Sequence, residues 1–294
     1  MKLRHGLALA LIILIWGSNL VIGKIGVTQI PPIFMMAVRF ILVAVLLAPF
    51  LRPIGKPWRQ IVLLSVTLGG LQFSLMFTGL RGIDAGAASI AVQLYVPFSA
   101  MLAWMAFGER LRWQQVGGML IAFAGAYVLF GAPRIAQNSL SFLLVVAGAF
   151  MLAIATIQIK RLGRVNVFVL NAWVAVFAAP QLFALSFLLE EGQWAALSAT
   201  DWRGWGALVW MAVAVTIVSH GLFYNLINTY PLAKIVPVTL LSPVLAVVLA
   251  VPVLGEPVTV HLVAGGLLTL LGVGAIHFCR AVATRPSAVG VTDG

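Results

Sequence analysis

Two stretches of the chain carry the same signature, YVPFSAMLAWMAFGE at residues 95–109 and LSPVLAVVLAVPVLGE at residues 241–256. In both, a proline precedes an apolar run that ends in Gly-Glu. The copies are offset by 146 residues at the proline and by 147 at the Gly-Glu pair. Two more residues recur at these offsets: Ala87 as Ala233, and Gly125 as Gly272. The ordered matches indicate that the chain consists of two related halves.

The composition places both halves in a membrane. Of the 294 residues, 62% are hydrophobic and 9% are charged, whereas soluble domains are about 25% charged, so a soluble globule is excluded. A helix needs about 20 apolar residues to cross the hydrocarbon layer. Apolar runs bounded by charges or turn residues predict ten such helices, near 6–26, 31–50, 60–80, 85–107, 114–131, 139–159, 166–189, 204–228, 231–253 and 260–280. The predicted fold class is an all-α polytopic membrane protein.

The basic residues predict the orientation of these spans. Of the 18 Lys and Arg residues, thirteen fall on the side of the amino terminus and four on the other side, and Arg39 lies inside the second span. Cytoplasmic loops carry such an excess of positive charge. We therefore expect a multi-pass protein of the bacterial inner membrane with both termini in the cytoplasm. This bias also explains the net charge of +11 without nucleic-acid binding.

Each half holds five predicted spans, and this odd number makes the second half enter the membrane in the opposite orientation. We place the first five-helix repeat at residues 1–134, the second, inverted repeat at 135–285, and a flexible cytoplasmic tail at 286–294. Inverted repeats hold a substrate near the membrane midplane and expose it alternately to the two sides. A duplication that only built a stable bundle is the other interpretation.

Four motifs, taken in order and spacing, make the chain resemble the EamA-type members of the drug/metabolite transporter superfamily. The motifs are Ile15-Trp16-Gly17-Ser18-Asn19, Arg39-Phe40, Pro97 with Gly108-Glu109, and Pro243 with Gly255-Glu256. The resemblance covers nearly the whole chain. It implies a ten-helix inner-membrane carrier that exports amino acids or other small metabolites. The overall likeness is to the bacterial aromatic amino acid exporters of this family.

Polar side chains inside the predicted spans are the candidates for a substrate site, because polar atoms are costly in hydrocarbon unless they have partners. The selected residues are Trp16 and Asn19 in the first span, Gln72 in the third, Gln93 and Tyr95 in the fourth, and His220 and Tyr224 in the eighth. Aromatic rings suit bulky apolar side chains, and amide groups suit an ammonium and a carboxylate. Hydrogen bonding that only joins helices is the alternative, and for His220 a packing role is equally open.

Pro97 and Pro243 occupy matching positions of the two halves and predict paired kinks. A proline cannot donate a backbone N–H to the carbonyl four residues earlier, so these prolines would free the carbonyls of Gln93 and Thr239. In carriers built from repeats, paired helix breaks point to the substrate site. A kink that serves packing alone is the alternative interpretation.

Arg39 is the one basic residue placed near the middle of a span. A lone charge there costs at least about 2.5–3.5 kcal/mol, so its side chain should point into the bundle, toward neighbouring helices or a substrate carboxylate. No acidic residue is placed near the middle of a span. Because proton-driven carriers commonly relay protons through such carboxylates, the sequence favours facilitated export over tight proton coupling.

Other function classes find little support in the sequence. The motifs His-Glu-x-x-His and Gly-x-Ser-x-Gly are absent, and the four histidines lack metal-ligand spacing. The single cysteine, Cys279, excludes a disulfide framework and a Cys-based metal cluster. A channel would need a continuous polar lining. We therefore predict a carrier without enzyme activity, cofactor or metal, whose partners are a small-molecule substrate and membrane lipid.

The leading prediction is an exporter of aromatic or bulky neutral amino acids, or of similar small metabolites, that works by alternating access. It is expected to be a monomer or a weak homo-oligomer. The alternative is a proton-coupled exporter of a different small metabolite or drug.

Overall fold

The computed structural model describes residues 3–53, 57–163, 165–230, 235 and 238–283. These residues contain no strand and form ten main helices: α1 Leu3–Gln29, α2 Pro32–Leu46, α3 Trp58–Gly82, α4 Ala85–Phe107, α5 Trp113–Phe130, α6 Ser139–Leu162, α7 Val167–Leu189, α8 Trp202–Thr229, α9 Leu241–Leu254 and α10 Val260–Ala283. The predicted start of the ninth span, with Ala233, and the predicted tail at 286–294 lie outside the described residues.

Eight of the described helices are long and apolar enough to cross a membrane, and the two shorter apolar helices are α2 and α9. The prediction of an all-α membrane protein with about ten spans is confirmed. The second helix is shorter than predicted, because it ends at Leu46 and a single 3-10 turn, Ala48–Phe50, follows. Pro49 lacks the N–H that would donate to the carbonyl of Val45 if the helix continued. Two short helices, Pro133–Gln137 and Gln193–Ala199, lie in connecting segments.

The Gly-Glu signature of each half is a helix end. Gly108 terminates α4 with a φ of 65°, and Gly255 terminates α9 with a φ of 68°. Glycine adopts this left-handed conformation without the steric cost that a β-carbon brings. The motif that revealed the repeat in the sequence is thus a repeated local structure at the end of the fourth helix of each half.

Contacts among helix ends define two faces of the bundle. At the terminal face, where the described chain begins and ends, His5 Nδ1 of α1 lies 2.8 Å from the hydroxyl oxygen of Tyr230, just after α8. At the opposite face, Lys24 near the end of α1 donates to the carbonyls of Leu80, Arg81 and Ile83 at the end of α3, over 2.7–2.9 Å. With five passes in each half, the second half runs inverted relative to the first.

The fifth helices of the two halves, α5 and α10, pack closely through small residues. A β-carbon on Gly118 would lie 2.7 Å from the carbonyl oxygen of Gly272, and one on Gly125 would lie 2.5 Å from the backbone nitrogen of Thr269. Small residues at such positions let two backbones approach. The glycine-rich pattern of both helices therefore serves a contact between the two halves.

Candidate functional site

The third helix of each half contains a π-helical stretch that the sequence analysis did not predict. These stretches are Ser65–Gln72 in α3 and Trp210–Ser219 in α8. A π-helical turn changes the direction of the following side chains and is frequent at functional sites. The two stretches occupy corresponding helices, so the irregularity is a property of the repeat.

The stretch in α8 receives two side-chain hydrogen bonds from the first half. The indole Nε1 of Trp16 donates to the hydroxyl of Ser219 over 2.8 Å. The guanidinium Nη2 of Arg39 donates to the hydroxyl of Thr216 over 3.1 Å. Both acceptors are buried. The first and second helices of one half therefore hold the third helix of the other.

The stretch in α3 repeats this arrangement with the halves exchanged. The Nε2 of Gln158 in α6 donates to the hydroxyl of Thr67 over 3.0 Å, and the Nε2 of Gln181 in α7 donates to the hydroxyl of Ser65 over 2.9 Å. Amides here take the places of the indole and the guanidinium. The polar contacts thus follow the inverted repeat. Among these four donors, the one charged group is the Arg39 guanidinium, which belongs to the first half.

Arg39 is enclosed by protein on all sides, with an exposed fraction of 3%. Its guanidinium carbon lies 4.7 Å from the ring centre of Phe73 and 5.6 Å from that of Phe40. A second nitrogen, Nη1, lies 3.7 Å from the sulfur of Met36, and Nε has no hydrogen-bond partner. The aromatic faces stabilise the cation, but part of its donor capacity is unused.

Three buried amide oxygens of the described residues also lack partners, those of Asn19, Gln72 and Gln158. Gln72 is 3% exposed, its Nε2 approaches the sulfur of Met76 at 3.2 Å, and its Oε1 is unpartnered. Gln72 directly precedes Phe73, whose ring lies under Arg39. The Oδ1 of Asn19, one turn beyond Trp16 on α1, is unpartnered as well. Buried polar atoms of this kind are unusual enough to require an explanation.

Thr216, His220 and Tyr224 form a polar stripe on α8 at spacings of four residues, and its members have different surroundings. Thr216 binds Arg39, whereas the half-buried His220 lies 3.4 Å from Asn171 of α7, measured from its Nδ1 to the amide nitrogen. Tyr224, one turn further, is 37% exposed. The stripe therefore brings one hydroxyl to the arginine and leaves the phenol at the surface.

The predicted residues of α4 lie in a separate environment. A 3-10 turn, Val92–Leu94, interrupts the helix, and the N–H of Tyr95 reaches the carbonyls of Val92 and Gln93. The Gln93 carbonyl, which Pro97 was expected to free, thus accepts the N–H of Tyr95 in a tightened turn. Gln93 and Tyr95 are half-buried.

Tyr95 packs against a cluster formed mainly by α4, α5 and α10, with Met119 and Ile276 among its members. Pro243, the partner kink in α9, offers its carbonyl to the hydroxyl of Ser89 at 3.4 Å. Pro243 therefore lies at a contact between α4 and α9.

At the opposite face, carboxylates of the second half bind helix amino termini of the first half. Glu256 accepts from the backbone N–H groups of Ala85 and Gly86 at 2.6 and 3.0 Å. Glu190 accepts from the N–H groups of Ile33 and Phe34 at 2.8 and 2.9 Å. Carboxylates are stabilising at helix amino termini, so these contacts join the halves at this face.

A third contact across this face joins the end of α1 to the start of α8. The carboxylate of Asp201 caps its own helix and accepts from the Nε2 of Gln29 over 2.9 Å. This hydrogen bond is the largest of the contributions that lower the pKa of the Asp201 carboxyl. Sequence reasoning placed these acidic residues at helix ends but did not identify their partners, which are distant in the chain.

The terminal face is joined through more exposed groups. Glu109 forms an ion pair with Lys160 at the end of α6, and both side chains are more than one-third exposed. The indole of Trp173 donates to the carbonyl of Arg52 over 2.9 Å. Surface ion pairs contribute about 0–1 kcal/mol, so the Glu109–Lys160 contact adds little to the closure of this face.

Two cavities lie near the opposite face, around Asp84 and Arg134, which form an ion pair at 3.7 Å. The larger has a volume of about 290 Å³. None of the predicted substrate residues lines either cavity. Among the residues that the structure describes, no group of three or more His, Cys, Asp or Glu side chains is placed to hold a metal ion.

The chain matches a protein-family model twice. The model is described as the EamA-like transporter family, and the matches cover residues 4–131 and 139–278. The two matches correspond to the two five-helix halves of the structure.

Full-length relatives carry transporter names. A protein of Salmonella typhimurium named "Probable amino-acid metabolite efflux pump" is 31% identical over 286 residues, which cover 92% of this chain and 94% of the relative. An Escherichia coli K12 protein of the same name is 29% identical with the same coverage. The "Uncharacterized transporter YvbV" of Bacillus subtilis is 26% identical and covers 99% of this chain.

A solved crystal structure shares the fold. It superposes with a TM-score of 0.63 at 20% sequence identity, over 96% of this chain and 99% of that one.

Proposed function

The chain belongs to the EamA-like transporter family, and on that premise we propose that it exports amino acids, aromatic or bulky neutral ones, by alternating access. The substrate would bind between the two halves, near the π-helical stretches of α3 and α8. Similar small metabolites fall within the same proposal. The names of the Salmonella and E. coli relatives, which refer to efflux of amino-acid metabolites, support the substrate class.

The observation that carries the proposal is the exchange of polar contacts between the halves. Trp16 and Arg39 of the first half bind the π-helical stretch of α8, while Gln158 and Gln181 of the second half bind that of α3. Inverted repeats that meet at irregular helices provide substrate groups at their interface. Rocking of one half against the other would make and break these contacts.

Facilitated export without tight proton coupling is part of the proposal. The acidic side chains of the described residues lie at helix ends: Asp84, Glu109, Glu190, Glu191, Asp201 and Glu256. A proton relay would require a titratable group on the substrate path. The alternative, a proton-coupled exporter of a different metabolite or drug, draws on two features: His220 in α8, a residue type that can change charge near neutral pH, and the burial of Glu256 between the halves.

The proposed orientation follows from the charge bias of the sequence. The terminal face would be cytoplasmic in a bacterial inner membrane, with the opposite face toward the outside. The protein would act as a monomer or a weak homo-oligomer.

The test is flux in proteoliposomes that contain the purified protein. Labelled phenylalanine, tryptophan, leucine and lysine would be compared, with and without a pH gradient. We expect flux of the aromatic and bulky neutral amino acids at rates that the gradient does not change. Absence of flux for every amino acid from folded protein would contradict the proposed substrate class, and acceleration by the gradient would support the proton-coupled alternative.

A further inference from the structure

We infer that Arg39 binds the carboxylate of the substrate and that the side-chain oxygen of Gln72 accepts from its ammonium group. This inference rests on the proposed function and deepens it. It selects substrates that carry a free carboxylate beside a positively charged amino group.

The first reason is the uncompensated charge of Arg39. The residue lies in the middle of α2 with an exposed fraction of 3%. The two ion pairs found among the described residues, Asp84 with Arg134 and Glu109 with Lys160, both lie at helix ends and do not involve it. A buried cation without a counter-ion is costly, and an anionic ligand would remove that cost.

The second reason is the unused donor capacity of the guanidinium. It has five N–H groups in a planar fork. Its contacts in this structure are one hydroxyl, Thr216, one thioether at long distance, Met36, and two ring faces, while Nε is unpartnered. A carboxylate accepts two parallel hydrogen bonds from such a fork. Thr216 fixes one nitrogen and leaves the others for the ligand.

The third reason is the presence of unpartnered side-chain acceptors on α1 and α3, two helices that pack against α2. Gln72 Oε1 is buried and has no partner, and the next residue, Phe73, places its ring under Arg39. Asn19 Oδ1 on α1 is a second unpartnered acceptor. One cation and two carbonyl-type oxygens complement a zwitterion, because the ammonium group of an amino acid donates three hydrogen bonds and its carboxylate accepts.

A phosphorylated ligand fits this region less well. Phosphate sites use several basic groups, and Lys and Arg residues other than Arg39 lie at or near helix ends in the described chain. A single guanidinium matches the single charge of a carboxylate.

The experiment measures binding to the purified, reconstituted protein with two probes that differ at the carboxylate. L-phenylalanine and L-phenylalaninamide share the ring and the amino group, and the amide lacks the anionic carboxylate. We expect the wild type to bind phenylalanine about 10- to 100-fold more tightly than the amide, the range for hydrogen bonds to a charged group. Arg39→Gln should abolish this preference, and Arg39→Lys should retain part of it.

Arg134→Gln is the matched control, because it makes the same substitution at an arginine whose ion pair with Asp84 lies at a helix end, away from the proposed site. This variant should keep the wild-type preference. A folded Arg39→Gln protein that still prefers phenylalanine would overturn the inference.

Should Arg39→Gln fail to fold, the wild type alone decides, because equal affinity for phenylalanine and its amide overturns the inference. Failure of the proposed function looks different, since the wild type would then transport no amino acid at all.

Discussion

Glu256, at the end of the second Gly-Glu motif, accepts a hydrogen bond of 2.6 Å from the backbone N–H of Ala85, the first residue of α4. Its carboxylate also accepts from Gly86, and its exposed fraction is 8%. The matching residue of the first half, Glu109, instead forms an exposed ion pair with Lys160. One motif therefore closes the opposite face through buried backbone groups, while its copy makes a surface contact.

This asymmetry predicts unequal costs for removing the two glutamates. Glu256→Ala leaves two backbone N–H groups without partners and should lower the free energy of unfolding by about 1–3 kcal/mol. Glu109→Ala removes a surface ion pair and should cost about 1 kcal/mol or less. Thermal unfolding of both variants in the same detergent measures the difference. Equal shifts would show that the Glu256 contact adds nothing beyond a surface pair.

The Glu256 contact also predicts a pH dependence with a defined sign. Burial raises the pKa of the Glu256 carboxyl, against the opposing effect of the hydrogen bonds from Gly86 and Ala85. The nearby Asp84 raises it further, and Lys24 lowers it. Because the folded protein then holds this proton more tightly than the unfolded chain, the stability from this group is present at low pH and is lost as the pH rises through the raised pKa.

Relative to Glu256→Gln, which does not titrate at this position, the wild type should gain stability as the pH falls from 7 toward the ordinary glutamate value of 4.5. The measurement is the difference between the two unfolding temperatures across this interval. A difference that stays constant, or that moves against the wild type in acid, would contradict this prediction.

Adjacent glycines of α5 predict opposite responses to the same substitution. A β-carbon at Gly118 meets the Gly272 carbonyl oxygen at 2.7 Å, whereas one at Gly117 meets nothing within 4 Å. Gly118→Ala should therefore separate α5 from α10 and cost about 1–3 kcal/mol. Gly117→Ala should leave stability unchanged or raise it by up to about 1 kcal/mol through helix propensity. Thermal unfolding compares them, and a milder effect at Gly118 would argue against the close packing of these helices.

The hydrogen bonds between the halves predict energetic coupling of specific pairs. Gln181 and Ser65 are joined at 2.9 Å, so a double-mutant cycle with alanine at both positions should show a coupling of about 0.5–1.5 kcal/mol. Gln181→Ala combined with Ser219→Ala, which belongs to the other π-helical stretch, should be additive. Chemical unfolding in mixed micelles provides the free energies. Coupling in the second cycle, or its absence in the first, would count against the exchanged contacts.

The sequence predicted the fold well because its main signals are local. Apolar runs separated by charges marked the ten spans, and the Gly-Glu pairs marked two helix ends where glycine adopts a left-handed conformation. The end of α2 at Leu46 follows from Pro49, a signal that was present in the sequence. The π-helical stretches share no comparable signal, since Ser65–Gln72 contains Gly69 and Gly70 whereas Trp210–Ser219 contains neither glycine nor proline.

The site was only partly predictable because its contacts join distant parts of the chain. Composition alone identified Arg39 as a buried charge, but its partner Thr216 lies 177 residues away. The sequence placed His220 and Tyr224 together in the eighth span as substrate candidates, whereas the tertiary structure turns one toward Asn171 and leaves the other exposed. The assignment of these residues to a substrate site remains a prediction.

Counterflow in proteoliposomes tests the central claim most directly. Vesicles loaded with unlabelled phenylalanine are diluted into a trace of labelled phenylalanine, with membrane potential and pH gradient abolished. A carrier that exposes one site alternately to the two faces predicts a transient accumulation of label above its external concentration. Equilibration without this overshoot would indicate a pore, and no protein-dependent uptake would contradict the account of this chain as an amino acid carrier.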